Sequence, residues 1–386
     1  MFKIIKKDKD SKARLGILNT PHGKVKTPSY VIVATYGQIR HLKPSDIKKT
    51  KTQLLICNTY HLWNKALSSN KKHLLHDMLG LKIPIMTDSG GFQVFSLAFG
   101  KENKIGKILG PTAAEKERPV RKNIKITDKG VYFKLNGENK FLGPDLSIQI
   151  QEKLGADIIF AFDECTSPLD DYDYNIKALK RTDKWAKICL KTKTNKDQML
   201  FGIVQGGLHK DLRIKSAKTI ASLPFDGFGI GGSFNKEQIS KVFKWIMPHL
   251  PEEKLRHLLG IGKIEDIFTA VENGIDTFDC VIPTREARHG RLWTSNGKID
   301  IRKGIYKEDQ TLIEKGCKCP ICSKKITRSK VYTLFKSLKE KDKILAQRYA
   351  LLHNIWFFNN VLEKIRDSIN KGVFSKFKQK FLSRFH

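Results

Sequence analysis

Three aspartates stand at the ends of apolar runs: Asp88 after Ile83–Thr87, Asp163 after Ala156–Phe162, and Asp279 after Gly274–Phe278. Two carboxylates facing each other across a small pocket can divide labour. One attacks the anomeric carbon of a sugar, and the other carries a proton to and from the leaving group. Each aspartate could equally cap the helix that follows it. Three at such ends, with Ser89-Gly90-Gly91 and Gly231-Gly232 following two of the runs, favour a site, because glycine lets backbone approach a ligand closely. Gln205 closes another run, Phe92 offers a face for stacking on a planar base, and Arg285 and Arg288 lie three apart shortly after Asp279. Such arginines grip phosphates or bases beside a reacting sugar when they are not simply solvated.

The cluster Cys317-x-Cys319-x-x-Cys322 is the sharpest local signal, and His353 follows in a helical context. Three thiolates and one imidazole supply four tetrahedral ligands, a closed set that implies structural Zn2+ with no open position. The competing readings are a redox cluster of free thiols and a His353 that is merely packed. Cys57, Cys165, Cys189 and Cys280 are scattered.

These residues need a frame that brings them together. Apolar runs recur at Ser29–Thr35, Gln53–Cys57, Ile83–Thr87, Asp157–Phe162, Met199–Val204, Gly227–Ile230, His257–Gly262 and Gly274–Phe278. They lack clean alternation, as strands buried on both faces do. Amphipathic segments such as Leu146–Leu154, Asn175–Cys189, Lys210–Ser222, Lys236–Met247 and Ile264–Asn273 lie between them. Eight such units predict an α/β fold, a (β/α)8 TIM barrel, with a doubly wound open sheet as the alternative. In a barrel, Asp88, Asp163, Gln205, Gly232 and Asp279 converge on the mouth at the C-terminal ends of the strands. We expect residues 1–300 to form the barrel, with an N-terminal hairpin in 1–28 turning at Pro21-His22-Gly23, a surface insertion at 101–121 and a β-excursion at Ile124–Asn136. A basic loop and a strand are expected over Pro283–Trp293. Residues 301–386 are expected to form a zinc-binding subdomain with basic C-terminal helices.

The 386-residue chain carries 72 Lys+Arg against 39 Asp+Glu, a formal charge of +33. On a folded enzyme this points to a polyanionic partner, nucleic acid first and a membrane surface second. Heavy lysine usage in an AT-rich genome is the plainer explanation. The N-terminus runs straight into charge without a signal-peptide pattern, and no apolar run reaches the ~20 residues of a membrane span. A cytoplasmic protein with reduced thiols is expected.

Taken together, Asp88-Ser89-Gly90-Gly91-Phe92-Gln93, Phe162-Asp163-Glu164-Cys165, Gly202-Ile203-Val204-Gln205-Gly206-Gly207, Phe278-Asp279-Cys280-Val281-Ile282-Pro283-Thr284-Arg285 and the Cys-x-Cys-x-x-Cys…His set resemble the bacterial tRNA-guanine transglycosylases of the queuosine pathway, in order from about residue 12 to about 360. The resemblance implies a TIM barrel with a zinc subdomain, a homodimer, and exchange of the wobble guanine of GUN-anticodon tRNAs (Asp, Asn, His, Tyr) for a 7-deazaguanine base. It implies Asp279 as nucleophile at C1′ and Asp88 as general acid and base. Asp163, Gln205 and the Gly232 N–H would read the base edges, Phe92 and Leu259 would stack on its faces, and Ser89, Gly90 and Gly91 would shape the wall. It further implies an RNA path along Gly260, Ile261, Gly262, Lys263, Ile264, Glu265 and Asp266 and along Thr284, Arg285, Glu286, Ala287 and Arg288, with one structural Zn2+ on Cys317, Cys319, Cys322 and His353. The chain departs from the family pattern at Ser233 and Lys236, in the loop that faces the 7-substituent, and mildly at Leu259. That leaves preQ1 and queuine both open as the incoming base. A catalytically silent tRNA-binding paralogue, and a transglycosylase acting on another nucleic acid, are the alternative functions.

Overall fold

The computed structural model describes residues 1–71, 73–95, 124–135, 138–232 and 236–385. The expected insertion at 101–121 and the departures at Ser233 and Lys236 thus lie outside the described structure, apart from the backbone of Lys236. Strands β1 (Phe2–Lys7), β2 (Arg14–Thr20) and β3 (Gly23–Thr27) form an antiparallel sheet. Strands β4 (Ser29–Val33), β5 (Leu55–Cys57) and β6 (Ile85–Thr87) begin the barrel. A second antiparallel sheet, β7 (Ile124–Thr127), β8 (Gly130–Leu135) and β9 (Glu138–Leu142), interrupts it. The barrel resumes with β10 (Ile158–Phe160), β11 (Met199–Val204), β12 (Gly227–Ile230), β13 (Leu255–Leu258) and β14 (Thr277–Cys280), and β15 (Arg291–Thr294) with β16 (Gly297–Asp300) forms a hairpin beyond it.

The eight barrel strands are parallel and close on themselves: β14 pairs with β4 at Phe278↔Tyr30 and Asp279↔Val31, and β6 pairs with β10 at Ile158↔Met86. Closure excludes the open doubly wound sheet. The strand sequences explain it. Val31, Ile56, Met86, Phe160, Phe201 and Ile203 point inward and share one buried cluster with Leu18 and Val25 of the N-terminal sheet, whereas Tyr30, Ile32, Leu200 and Val204 belong to the outer core beneath the helices. Period-2 alternation between two apolar environments reads as a continuous apolar run.

Three details differ from expectation. Phe2–Lys7 is a strand paired to β2, so the N-terminal hairpin is a three-stranded sheet. Asp279 lies within β14 rather than after it. The segment expected as a basic loop is a helix, Ile282–Arg288; Pro283 fits its first turn, where the missing N–H is not needed.

The long helix Glu340–Asn370 packs against β4, β15 and the helix Ile282–Arg288 and is tied down by side chains. Asn359 Nδ2 donates to Thr50 O (2.8 Å), Arg366 to Pro28 O (2.7 Å), and Arg348 makes two bonds to Asp46 (3.0 and 2.8 Å). At the N-terminal ends of the strands, where Pro28 also lies, buried Asp276 at the entry to β14 accepts Arg14 Nε (2.9 Å), Arg14 Nη2 (2.6 Å) and the Arg256 backbone N–H (2.8 Å). This pair fixes the strand that carries Asp279. Asp276→Ala strands the buried Arg14 charge and is expected to cost about 3–5 kcal/mol in urea denaturation. Glu252→Ala, which removes an exposed partner of Lys7, should cost less than about 1 kcal/mol.

Candidate active site

The mouth of the barrel holds a cavity of about 630 Å³ with an apolar floor of Ile56, Phe160 and Ile203. Asp88, Asp163 and Asp279 all line it, as do Ser89, Phe92, Gln205, Gly232, Leu259, Gly260 and Arg285. Asp279 Oδ1 accepts the Gly260 N–H at 2.8 Å and lies 3.2 Å from His257 Nε2. His257 is fully buried, and its Nδ1 meets Thr277 Oγ1 at 2.9 Å. Beside an ionised Asp279 the imidazole carries its proton on Nε2 and donates it, while the Thr277 hydroxyl donates to Nδ1. β13 and β14 thus position the nucleophile candidate together.

Asp88 follows β6 and is held by the loop after β5. Asn58 Nδ2 donates to Oδ2 (2.7 Å), and the N–H groups of Thr59 (3.0 Å) and Gly90 (3.1 Å) donate to Oδ1. Gly90 adopts φ +78°, a conformation that costs glycine least. Cys57 behind Asp88 has its thiol pushed up by burial and then by the Asp88 charge. Such a thiol is a packing group rather than a nucleophile.

The opposite wall is polar and rigid. Gln205 Nε2 donates to Asp163 Oδ2 at 2.7 Å, and both side chains are buried. A Cβ on Gly231 would stand 2.4 Å from Gln205 Nε2, so glycine there is a condition of this contact. Behind the wall, Arg213 is fully buried and donates to the carbonyls of Gly207 (2.7 Å), Val204 (3.0 Å) and Gly231 (2.9 Å). It fastens the loops after β11 and β12 to each other. Glu164, next to Asp163, accepts Arg181 through Nε (2.5 Å) and Nη2 (3.0 Å) and also the Tyr174 hydroxyl.

The rim is cationic. Arg285 and Lys263 are exposed, and Arg288 is half-buried with its guanidinium lowered first by burial and then by Arg40 and Arg285 nearby. Arg40 is exposed. Of the other residues expected along an RNA path, Glu265 and Asp266 begin the helix Ile264–Glu272 and are partly exposed, whereas Ile261, Gly262, Ile264, Thr284, Glu286 and Ala287 are buried. Gly90 and Gly91 shape the wall from behind and do not line the cavity.

Cys317, Cys319, Cys322 and His353 form a cluster that could hold one metal ion, with ligand atoms all within 4.8 Å of one another. The three Sγ atoms lie 4.0, 3.4 and 3.9 Å from His353 Nδ1. His353 Nε2 donates to Trp293 O at 2.8 Å, which leaves Nδ1 as the ligand nitrogen. The N–H groups of Cys319 and Cys322 point at sulfur (3.4 and 3.3 Å), as suits thiolates. These donors fit a closed tetrahedral centre.

Sequence reasoning missed Asn58, His257, Arg213, Glu164 and Arg40. Asn58 was detectable, since it ends the Gln53–Cys57 run as Asp88 ends its own. His257 stands inside an expected strand, but an inward-facing histidine looks like core. Nothing local marks Arg213, whose partners are backbone carbonyls remote in sequence.

The family model described as queuine tRNA-ribosyltransferase matches residues 8–386. A queuine tRNA-ribosyltransferase of Halothermothrix orenii is 38% identical over 391 residues, covering 100% of this chain and 97% of that protein. One of Clostridium perfringens strain SM101 is 39% identical over 395 residues, covering 98% of this chain and 97% of that protein.

Chelation of the Cys317–His353 cluster should release metal, lower the thermal midpoint and be reversed by added Zn2+. Cys319→Ser should hold no metal and unfold at the lower midpoint from the start. An unfolding curve indifferent to the chelator, followed by circular dichroism, would remove the structural role.

Proposed function

Because the chain belongs to the queuine tRNA-ribosyltransferase family, a family of pentosyl-transferring enzymes, we propose that it exchanges the wobble guanine of GUN-anticodon tRNAs for a 7-deazaguanine base through a covalent ribosyl–Asp279 intermediate. The observation that carries this reading is the placement of Asp88 and Asp279 on one cavity whose wall presents the Asp163–Gln205 pair. Guanine and its 7-deaza analogues have a donor edge at N1–H and the amino group, which an aspartate accepts, and a carbonyl that an amide N–H or the Gly232 backbone N–H satisfies. The apolar floor, Phe92 and Leu259 suit its faces.

The steps balance without an external energy source. The target nucleotide leaves its stack to enter the cavity. An Asp279 oxygen attacks C1′ as the bond from C1′ to the guanine ring nitrogen breaks, and the electron pair leaves with the base. Asp88 enters protonated and gives that proton to the departing ring nitrogen. Its three donors stabilise the carboxylate that results, which makes it a better acid at this step. The incoming base then gives its ring N–H proton to Asp88 and attacks C1′, and Asp279 departs as a carboxylate. Two displacements retain configuration. The Arg40, Arg285 and Arg288 rim meets the phosphates, which position the anticodon but do not select the base. Cys317, Cys319, Cys322 and His353 would hold Zn2+ as a structural ion that ties the segment Cys317–Cys322 to the long helix. The setting this implies is the cytoplasm, with its tRNA pool and reduced thiols.

The test is base exchange. Unmodified GUN tRNA loaded with labelled guanine is chased separately with preQ1 and with queuine. Displacement of label by either base supports the reading and identifies the acceptor. Tight tRNA binding without guanine incorporation would identify a silent tRNA-binding protein instead. Asp279→Asn should trap no covalent tRNA adduct on a denaturing gel; an adduct that persists overturns the nucleophile. Asp88→Asn should slow exchange by roughly 10²–10⁴-fold. His257→Phe, which removes one hydrogen bond to a charged group, should lower kcat by roughly 10–100-fold with KM little changed.

A further inference from the structure

At the end of the barrel opposite the cavity, three histidines from two segments of the chain meet beside one buried carboxylate. His22 sits in the turn between β2 and β3, His73 precedes the helix Leu74–Leu79, and His76 lies within it. We propose that His22 and His76, both oriented by Asp157, form with His73 a second site for a divalent cation of the borderline class that prefers imidazole, such as Zn2+, Co2+, Ni2+ or Cu2+. Nothing in the exchange reaction requires this cluster.

The geometry resembles a metal site prepared from its outer shell inward. Asp157 is 2% exposed and stands just before β10. Its Oδ1 accepts His22 Nδ1–H at 2.9 Å and the His22 backbone N–H at 3.2 Å, and its Oδ2 accepts the Ile85 N–H at 2.8 Å. A carboxylate on Nδ1 leaves the Nε2 lone pair of His22 available, the arrangement in which histidine ligates metals. His76 is arranged in the converse sense. Its Nε2 donates to Ile83 O at 3.1 Å and lies 3.6 Å from Asp157 Oδ2. Its Nδ1 is therefore the lone-pair nitrogen, and that atom is buried without a hydrogen-bond partner in a residue only 7% exposed. An unpartnered buried acceptor is unfavourable, and a bound cation would satisfy it.

His73 completes the set from the solvent side. Its ring lies 5.4 Å from that of His22 and 6.2 Å from that of His76, and the rings of His22 and His76 stack at 3.6 Å. One nitrogen from each of the three lies within 4.8 Å of the others. Ligands on tetrahedral Zn2+ at ~2.05 Å stand about 3.3 Å apart, so binding would turn the stacked rings of His22 and His76 away from parallel and draw in the exposed His73. Three imidazoles with no protein ligand in the fourth position leave room for water. Set at the strands' N-terminal ends, the ion would clip the N-terminal sheet to the segment before β6, away from chemistry.

The experiment counts metal on the full-length protein with its Cys3His cluster already filled by Zn2+. After equilibrium dialysis against micromolar ZnCl2, mass spectrometry of the metal content should give two equivalents per chain for wild type. His73→Asn and His22→Asn should each hold one, while a control at a distant histidine, His249→Asn, keeps two. Co2+ offered to the same protein should add weak visible bands without the intense thiolate-to-cobalt absorption of a cysteine site. His73→Asn changes an exposed residue, so its folding is not at issue. One equivalent in wild type overturns the proposal, and so does a second equivalent that survives both histidine substitutions.

Discussion

The hydrogen bonds on Asp279 Oδ1 depend on the barrel being closed. Gly260 N–H follows β13, His257 is within it, and Asp279 is in β14, which finds its place only because β4 pairs with it on the other side. A carboxylate at the centre of an apolar-floored cavity loses water on most sides. Donors fixed by two neighbouring strands replace some of that water, as the nucleophile role proposed for it requires. The seam is secured from two sides: Asp276 with Arg14 anchors the start of β14, and the helix Glu340–Asn370 packs against β4.

The opposite wall shows what such a site demands of the core. Arg213 and Glu164 are charged and buried, and neither lines the cavity. Burial lowers the Arg213 guanidinium to about 9, which measures how strongly the surroundings oppose its charge. The charge persists there because three carbonyls of loops that end β11 and β12 accept from it. An apolar residue of the same volume would leave those carbonyls unpaired and the loops free to separate. The buried cation is thus a fixture for Gln205 and Gly231, and through them for Asp163.

Much of this was legible in the sequence because apolar runs and turn residues are local. The eight runs, the aspartates that end three of them and the cysteine spacing each sit within a few residues of one another, and closure of the barrel then brings Asp88, Asp163 and Asp279 to one mouth without further information. Residues whose purpose is defined by distant partners were not legible. His257 is intelligible only once β14 lies beside β13, and Arg213 only once the loops after β11 and β12 meet. Ile282–Arg288 reads as a loop from its charges, but Pro283 at a first turn and the packing of Thr284 and Ala287 against the long helix make it helical. Phe2–Lys7 is short and lysine-rich, and it becomes a strand only because β2 offers it an edge.

Recognition of a polyanion and recognition of a base rest on different physics here, and the structure keeps them apart. The +33 charge acts over a Debye length of roughly 10 Å and gathers nucleic acid without regard to sequence. Arg40, Arg285 and Arg288 concentrate part of it at the rim, where a phosphate backbone can be gripped while one nucleotide is withdrawn. Inside, the contacts that would select the base in the proposed reaction are short, neutral or anionic, and set against apolar surface. Asp163 there would exclude a base that presents only acceptors, because two acceptors facing each other in a dry pocket cannot both be satisfied. A cation at the same place would bind phosphate as readily as base. Keeping positive side chains on the rim and carboxylates within is therefore the condition under which one strongly basic protein can hold any RNA loosely and open its chemistry to one base.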